Sequence, residues 1–350
     1  MSDRELLLAR LRDAGAEDEE IERADAEERL PTLAVELALG GAGRHSLSHV
    51  ARESGLQPGF LRELMQAVGR PNPGRGERIF TDEDIETARV IKRLIDAGLP
   101  RRELLEVGRV LGQGMAHTSE AVRRLVGNAL MQPGDSEYTV GLRFAAAADE
   151  LAPLMPTLLD HQFRAHLRDG MRRELVTESE REVGRLAGTR DVAIAFADLV
   201  GYTRLGEQLP AEDLGSIAGR FADLAVASVK RPATLIKTIG DGAMFASPEV
   251  PPLLATLQRL VESVAKEDQR FPEVRVAHGP ATTRGGDWFG ATVDVASRVT
   301  EIARPGRILA TEAVRALAPD EGWQRRRRRA NLKGVDGRVR LFSLTADDSG

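Results

Sequence analysis

No cysteine occurs anywhere in the 350 residues. That absence excludes disulfides, thiolate metal sites and a cysteine nucleophile, and it matches the usage expected of a cytoplasmic protein. No apolar run approaches the roughly 18 to 20 residues needed to span a bilayer. The opening segment, MSDRELLLARLRDAG, carries too many charges for a secretory signal. A basic excess is missing too: the net charge is −5, which gives no global attraction to nucleic acid or an anionic membrane. With 42% hydrophobic and 29% charged residues, the composition is that of a soluble globular protein, long enough for two domains with separate cores.

Roughly the first 185 residues read as helical, with short helices punctuated by Gly and Pro, as in GGAGRHSLS and GRPNPGRGER. The clearest helix is TDEDIETARVIKRLIDAG. Thr81 and Asp84 form a capping-box pattern, Ile85, Ala88, Ile91 and Leu94 repeat at helical spacing, and Gly98 ends it. A mixed-charge helical tract near 158–186 joins this half to the next.

From Asp191 strands alternate with helices. DVAIAFADL reads as a buried strand, and 212–229 as a helix with Leu214, Ile217, Phe221 and Leu224 on one face. IKTIGDGAMF reads as a hairpin turning at Gly240-Asp241-Gly242. A helix carrying Leu254, Leu257, Val261 and Val264 and the strand EVRVAHG complete a β-α-β-β-α-β order, the ferredoxin-like arrangement. A helix near 291–303 and the strands RILAT and VRLFSL extend it. The expected class is α+β: a ferredoxin-like domain behind an all-α one.

Within that order, Asp198 at the end of the first strand and Asp241 at the hairpin tip are brought to one end of the sheet. Two carboxylates forced together repel unless one is protonated or a cation lies between them. Oxygen ligands without His or Cys favour Mg²⁺ or Mn²⁺, typically completed by substrate phosphates. Asp294 and Arg298, four apart on one helix, are within reach of a common ligand, and arginine offers a fork suited to phosphate. Each feature also has a plainer reading. Asp241 alone is a turn residue, Lys237 a surface lysine or its local ion partner, and Asp294 with Arg298 a helix ion pair. Arg325 to Arg329 is a solvated basic segment, and His278 is structural.

FADLVGYT, IKTIGDGAMF, DWFGATVDVASR and NLKGV, in that order, resemble the catalytic domain of class III nucleotidyl cyclases over residues 189–346. The W-F-G segment is similar to the bacterial subgroup with a reduced dimerisation arm. GGDWF also resembles the GGDEF signature of diguanylate cyclases, but it lies after the βαββαβ core rather than in its hairpin. The cyclase resemblance implies conversion of ATP to cyclic AMP and pyrophosphate by two metals per site, at an interface between two copies. It implies Asp198, Asp241 and the Leu199 backbone carbonyl as metal ligands. Lys237 and Asp287 match the adenine-selecting pair, where guanylyl cyclases typically carry Glu and Cys. Arg298 matches the arginine at the transferring phosphate, and Lys333 the lysine that holds the triphosphate. Asp294 departs from the family's Asn, which leaves open a weakly active or inactive nucleotide-binding module.

In the first half, VARESGLQPGFLREL and the later helix IFTDEDIETARVIKRLIDAGL resemble a MerR-type winged helix-turn-helix, so a DNA-binding regulator fused to a cyclase-like domain is the other alternative. In the mycobacterial subgroup, however, the resemblance implies a helical regulatory domain. His45, His49, His117, His161 and His166 all lie here, which suits a proton signal; scattered surface histidines are the plainer reading. A lipid held by the apolar helices is the other candidate regulatory ligand. The expected layout is a regulatory domain at 1–157, a helical transducer at 158–188 and a catalytic domain at 189–346, forming a cytoplasmic homodimer.

Overall fold

The computed structural model describes residues 2–41, 43–173, 189–268, 272–298, 306–319, 323–331 and 338–345. The chain divides into two compact units, Met1–Arg172 and Arg173–Gly350. Among the described residues, no helix is long and apolar enough to cross a membrane.

The first unit is helical apart from one short strand pairing. Helices α1 (Asp3–Asp13), α2 (Asp18–Ala26) and α3 (Leu30–Ala38) lead to strand β1 (His45–Ser46). Helices α4 (Leu47–Ser54) and α5 (Pro58–Ala67) come next, then β2 (Arg78–Phe80), which pairs antiparallel with β1. The unit ends in α6 (Asp82–Asp96), α7 (Arg101–Leu130), α8 (Glu137–Leu151) and α9 (Met155–Arg173). The Thr81–Asp84 capping box is present, and α6 buries Ile85 and Ala88 as its periodicity predicts.

This unit holds two small cores. Leu7, Leu11, Ile21, Leu30, Leu33 and Ala145 gather α1, α2, α3 and α8. Leu47, Val50, Phe60, Leu64, Phe80 and Ile85 gather α4, α5, β2 and α6. At Gly141 a Cβ would lie 2.6 Å from the Pro31 Cβ, so the close approach of α8 to α3 requires glycine there.

The second unit begins with β3 (Thr189–Leu199), a four-residue helix α10 (Tyr202–Leu205) and α11 (Ala211–Ser228). The hairpin strands β4 (Thr234–Ile239) and β5 (Gly242–Ser247) come next, then α12 (Val250–Asp268) and β6 (Pro272–Arg284). Beyond lie β7 (Asp287–Phe289), α13 (Ala291–Arg298), β8 (Arg307–Thr311), α14 (Glu312–Leu317), β9 (Trp323–Asn331) and β10 (Arg338–Thr345). The sheet order is β4-β5-β3-β6-β8-β10-β9, with β7 on β6. Its first four strands pair antiparallel, which is the ferredoxin-like arrangement expected from the element order.

Alternation along β3 sorts its side chains between two layers. Ala193, Ala195 and Ala197 face a core closed by Phe221 and Ala225 of α11 and by Leu253, Leu257, Leu260 and Val264 of α12. Val192, Ile194 and Phe196 face the opposite layer, which contains Met244, Ala277, Trp288, Val293 and Ala296. Four strands were not expected from sequence: β1 and β2 in the unit read as all-α, and here β7 and β9, which takes Arg325 to Arg329 into the sheet by pairing with β10. The transducer tract beyond Arg173 and residues 299–305 lie outside the described residues.

Candidate active site

The second layer carries most of the site residues named from sequence. Asp198 continues the Val192-Ile194-Phe196 face at the end of β3, level with Gly242 of β5. The turn that makes this possible is Gly240-Asp241-Gly242. Gly240 has φ +56°, a left-handed angle that glycine accepts readily. At Gly242 a Cβ would stand 2.5 Å from the Asp198 Oδ1, so glycine leaves room for that carboxylate. The Leu199 N–H donates to the Asp241 carbonyl at 3.1 Å, tying the hairpin tip to the end of β3.

Asp241 is half-buried, and burial pushes its carboxyl above the usual carboxylate range. The charge of Asp198 acts in the same direction, while a hydrogen bond from its own backbone opposes both. A cation between the carboxylates would relieve that repulsion. Among the described residues, no group of three or more His, Cys, Asp or Glu is arranged to hold a metal. Asp198 and Asp241 are hard oxygen donors at one end of the sheet, a donor chemistry suited to a divalent ion that brings further oxygen ligands with it, as magnesium does with phosphates.

Lys237 reaches this layer through an irregularity in β4. Leu235 lies opposite Phe245 and packs towards α11 and α12. Strict alternation would send Lys237 the same way. The register shifts between Leu235 and Lys237, so Lys237 instead pairs with Met244, on the layer of Phe196 and Trp288. Its Nζ donates to Asp287 Oδ2, and Trp288 N–H donates to the other carboxylate oxygen at 2.9 Å. The pair is partly exposed, 36% for the Lys237 side chain and 29% for that of Asp287.

Asp294 lies in the first turn of α13 and Arg298 in its last, both exposed. Lys333 falls outside the described residues.

One charged residue of the site was missed in the sequence. Arg275 of β6 is only 2% exposed, and its Nη1 donates to Asp198 Oδ2 at 2.8 Å. The signal was legible as a lone cation within the apolar strand EVRVAHG.

The first unit holds a second titratable cluster. The His45 and His49 rings stack with centroids 4.5 Å apart and planes 12° apart. His45 Nε2 lies 2.8 Å from Asp82 Oδ1, and Arg52 Nη2 lies 2.6 Å from His49 Nδ1. A guanidinium can only donate, so this geometry requires His49 Nδ1 to be the unprotonated acceptor.

Residues 1–171 match the family described as the adenylate cyclase regulatory domain. The pH-sensitive adenylate cyclase MT1302 of Mycobacterium tuberculosis is 38% identical over 327 residues, which span 89% of this chain and 81% of that protein. The adenylate cyclase of Streptomyces coelicolor is 31% identical over 79% of this chain and 72% of its own length. A solved structure, the adenylyl cyclase CyaB from P. aeruginosa, is similar with a TM-score of 0.39 and 18% identity over 46% of this chain. On the sequence relatives, the chain belongs to the adenylate cyclase family.

Proposed function

We propose that this chain converts ATP to 3′,5′-cyclic AMP and pyrophosphate at sites formed between two copies of itself. The observation that carries this reading is the placement of Asp198, Lys237, Asp287 and α13 on one sheet layer beside the Asp241 hairpin, in a chain of this family.

The base is selected by hydrogen-bond polarity. Adenine offers an amino donor and a ring-nitrogen acceptor side by side, which Asp287 and Lys237 complement as acceptor and donor. Guanine presents the reverse order, an oxygen acceptor and an N–H donor, and leaves both mismatched. Two divalent ions, Mg²⁺ or Mn²⁺, held by Asp198, Asp241 and the Leu199 carbonyl, would lower the pKa of the 3′-hydroxyl and bind the departing phosphates. Arg298 places positive charge at the α-phosphate as the 3′-oxygen attacks in line, and Lys333 holds the triphosphate. Each site draws its metal aspartates from one copy and its adenine pair, Arg298 and Lys333 from the other. The domains assigned are regulatory at 1–157, transducer at 158–188 and catalytic at 189–346.

Asp294 favours a second reading. An ionised carboxylate cannot donate a hydrogen bond to ribose or phosphate as an amide can, and it repels the phosphate. On that reading the chain binds ATP and turns it over slowly or not at all.

Regulation is assigned to the first unit with the proton as signal, supported by the stacked histidine pair and by a relative named for pH sensitivity. A proton on His49 Nδ1 would remove the acceptor that Arg52 uses, and a second charge on His45 would add repulsion between the stacked rings, offset in part by Asp82. Arg44 and Glu83 border the same recess and contribute opposite charges to it.

Full-length protein incubated with ATP and Mn²⁺ should yield cyclic AMP. ATP binding without any cyclic AMP, from the full chain and from residues 187–350, contradicts the enzyme reading and supports the nucleotide-binding one.

A further inference from the structure

We infer that Arg275 weakens the hold of the carboxylate site on free divalent cations, so that metal enters together with nucleotide phosphate. The inference rests on reading Asp198 and Asp241 as the metal ligands.

Arg275 is fixed as well as charged. It sits in the middle of β6, aligned with Phe196 of β3 and Leu309 of β8, so strands flank it on both sides. At 2% exposure its guanidinium cannot turn out to solvent without repacking that layer. It occupies Asp198 Oδ2 at 2.8 Å, while Oδ1 faces the space that glycine leaves open at position 242. One oxygen of Asp198 is therefore committed to the arginine, and the other is presented to the Asp241 hairpin.

This arrangement has two effects on a cation. A fixed positive charge within a few ångströms opposes an incoming divalent ion, most strongly where water is excluded. Arg275 also competes for the lone pairs of Asp198 Oδ2, which weakens that oxygen as a ligand in the empty site. Both deficits are removed when a triphosphate arrives with its own charge and oxygens. A protein using this device binds the metal–nucleotide complex in preference to free metal. Arg275 is thus a positioning residue, acting through Asp198.

The test is a Mn²⁺ titration of the full-length protein without nucleotide, following free Mn²⁺ by electron paramagnetic resonance. Arg275→Gln removes the charge and should bind Mn²⁺ at least about threefold more tightly than the parent. Arg275→Lys keeps the charge and should stay within about twofold of the parent. General damage to the fold loosens a metal site, so tighter binding is not a consequence of mere structural loss. Unchanged or weaker binding by a folded Arg275→Gln overturns the inference. If that variant does not fold, a departure of more than about threefold in Arg275→Lys overturns it instead. Asp198→Asn separates the two claims: parental Mn²⁺ affinity in that variant sinks the metal-site reading itself.

Discussion

Lys237 donates to Asp287 across fifty residues of sequence, joining the irregular strand β4 to the short strand β7 on one layer of the sheet. The contact exists because a register shift turns Lys237 away from the helix-covered layer that Leu235 faces. Lys237→Met leaves Asp287 without this donor and removes the donor assigned to adenine. The expected result is at least a tenfold fall in kcat/KM for ATP, about 1.4 kcal/mol of lost transition-state binding, with a smaller effect on GTP. Steady-state kinetics with both nucleotides check it; equal losses would contradict the selectivity role.

Asp241 should make the empty protein less stable as pH rises. Its folded-state pKa is raised, chiefly by burial and then by the charge of Asp198. A carboxyl of this kind contributes stability below its unfolded pKa and loses it as pH climbs through the raised folded value. Asp241→Asn should therefore have a higher Tm than the parent at pH 7 without metal. The difference should vanish near pH 3. Thermal unfolding in chelator at both pH values measures it.

Gly242→Ala isolates the room made for Asp198. The added Cβ meets a carboxylate oxygen at 2.5 Å, so either Asp198 or the hairpin must move. Whichever moves, Asp198 and Asp241 lose their mutual placement while the sheet remains paired. We expect a loss of about 100-fold in cyclic AMP formation, since misplacement on the ångström scale has effects of that size, with a Tm close to the parent's.

Asp294→Asn replaces a repelling carboxylate with a donor at an exposed position of α13. Activity should rise about three- to tenfold, mainly through a lower KM for ATP, because the phosphate is no longer repelled. An unchanged KM would show that Asp294 does not face the nucleotide.

Much of the fold was legible because it rests on local signals. The Thr81 cap, the Phe221 stripe and the glycines around Asp241 each act within a few residues of sequence. The βαββαβ order then placed Asp198 beside the hairpin without further information. What escaped depends on cross-strand geometry. The shift at Ile236 has no sequence signature, so Asp287 was paired with Lys237 only through the family resemblance, and the layer that Lys237 faces could not be derived. Arg275 pairs with Asp198 from 77 positions away, and a single arginine in an apolar strand carries no indication of which carboxylate it meets. The run Arg325 to Arg329 gave no sign in its composition that it pairs with β10 as a strand.

Central to the proposed function is cyclisation of ATP at a site assembled from two copies, with Asp241 serving one site and Lys237 the other. Lys237→Ala and Asp241→Ala chains should each be inactive alone. Mixed and allowed to exchange, half of the dimers pair unlike chains, and each such dimer holds one intact site. Cyclic AMP formation should then return to about a quarter of the parent's rate. If the unlike chains demonstrably pair and the mixture stays inactive, while the parent protein makes cyclic AMP, the shared-site account is wrong.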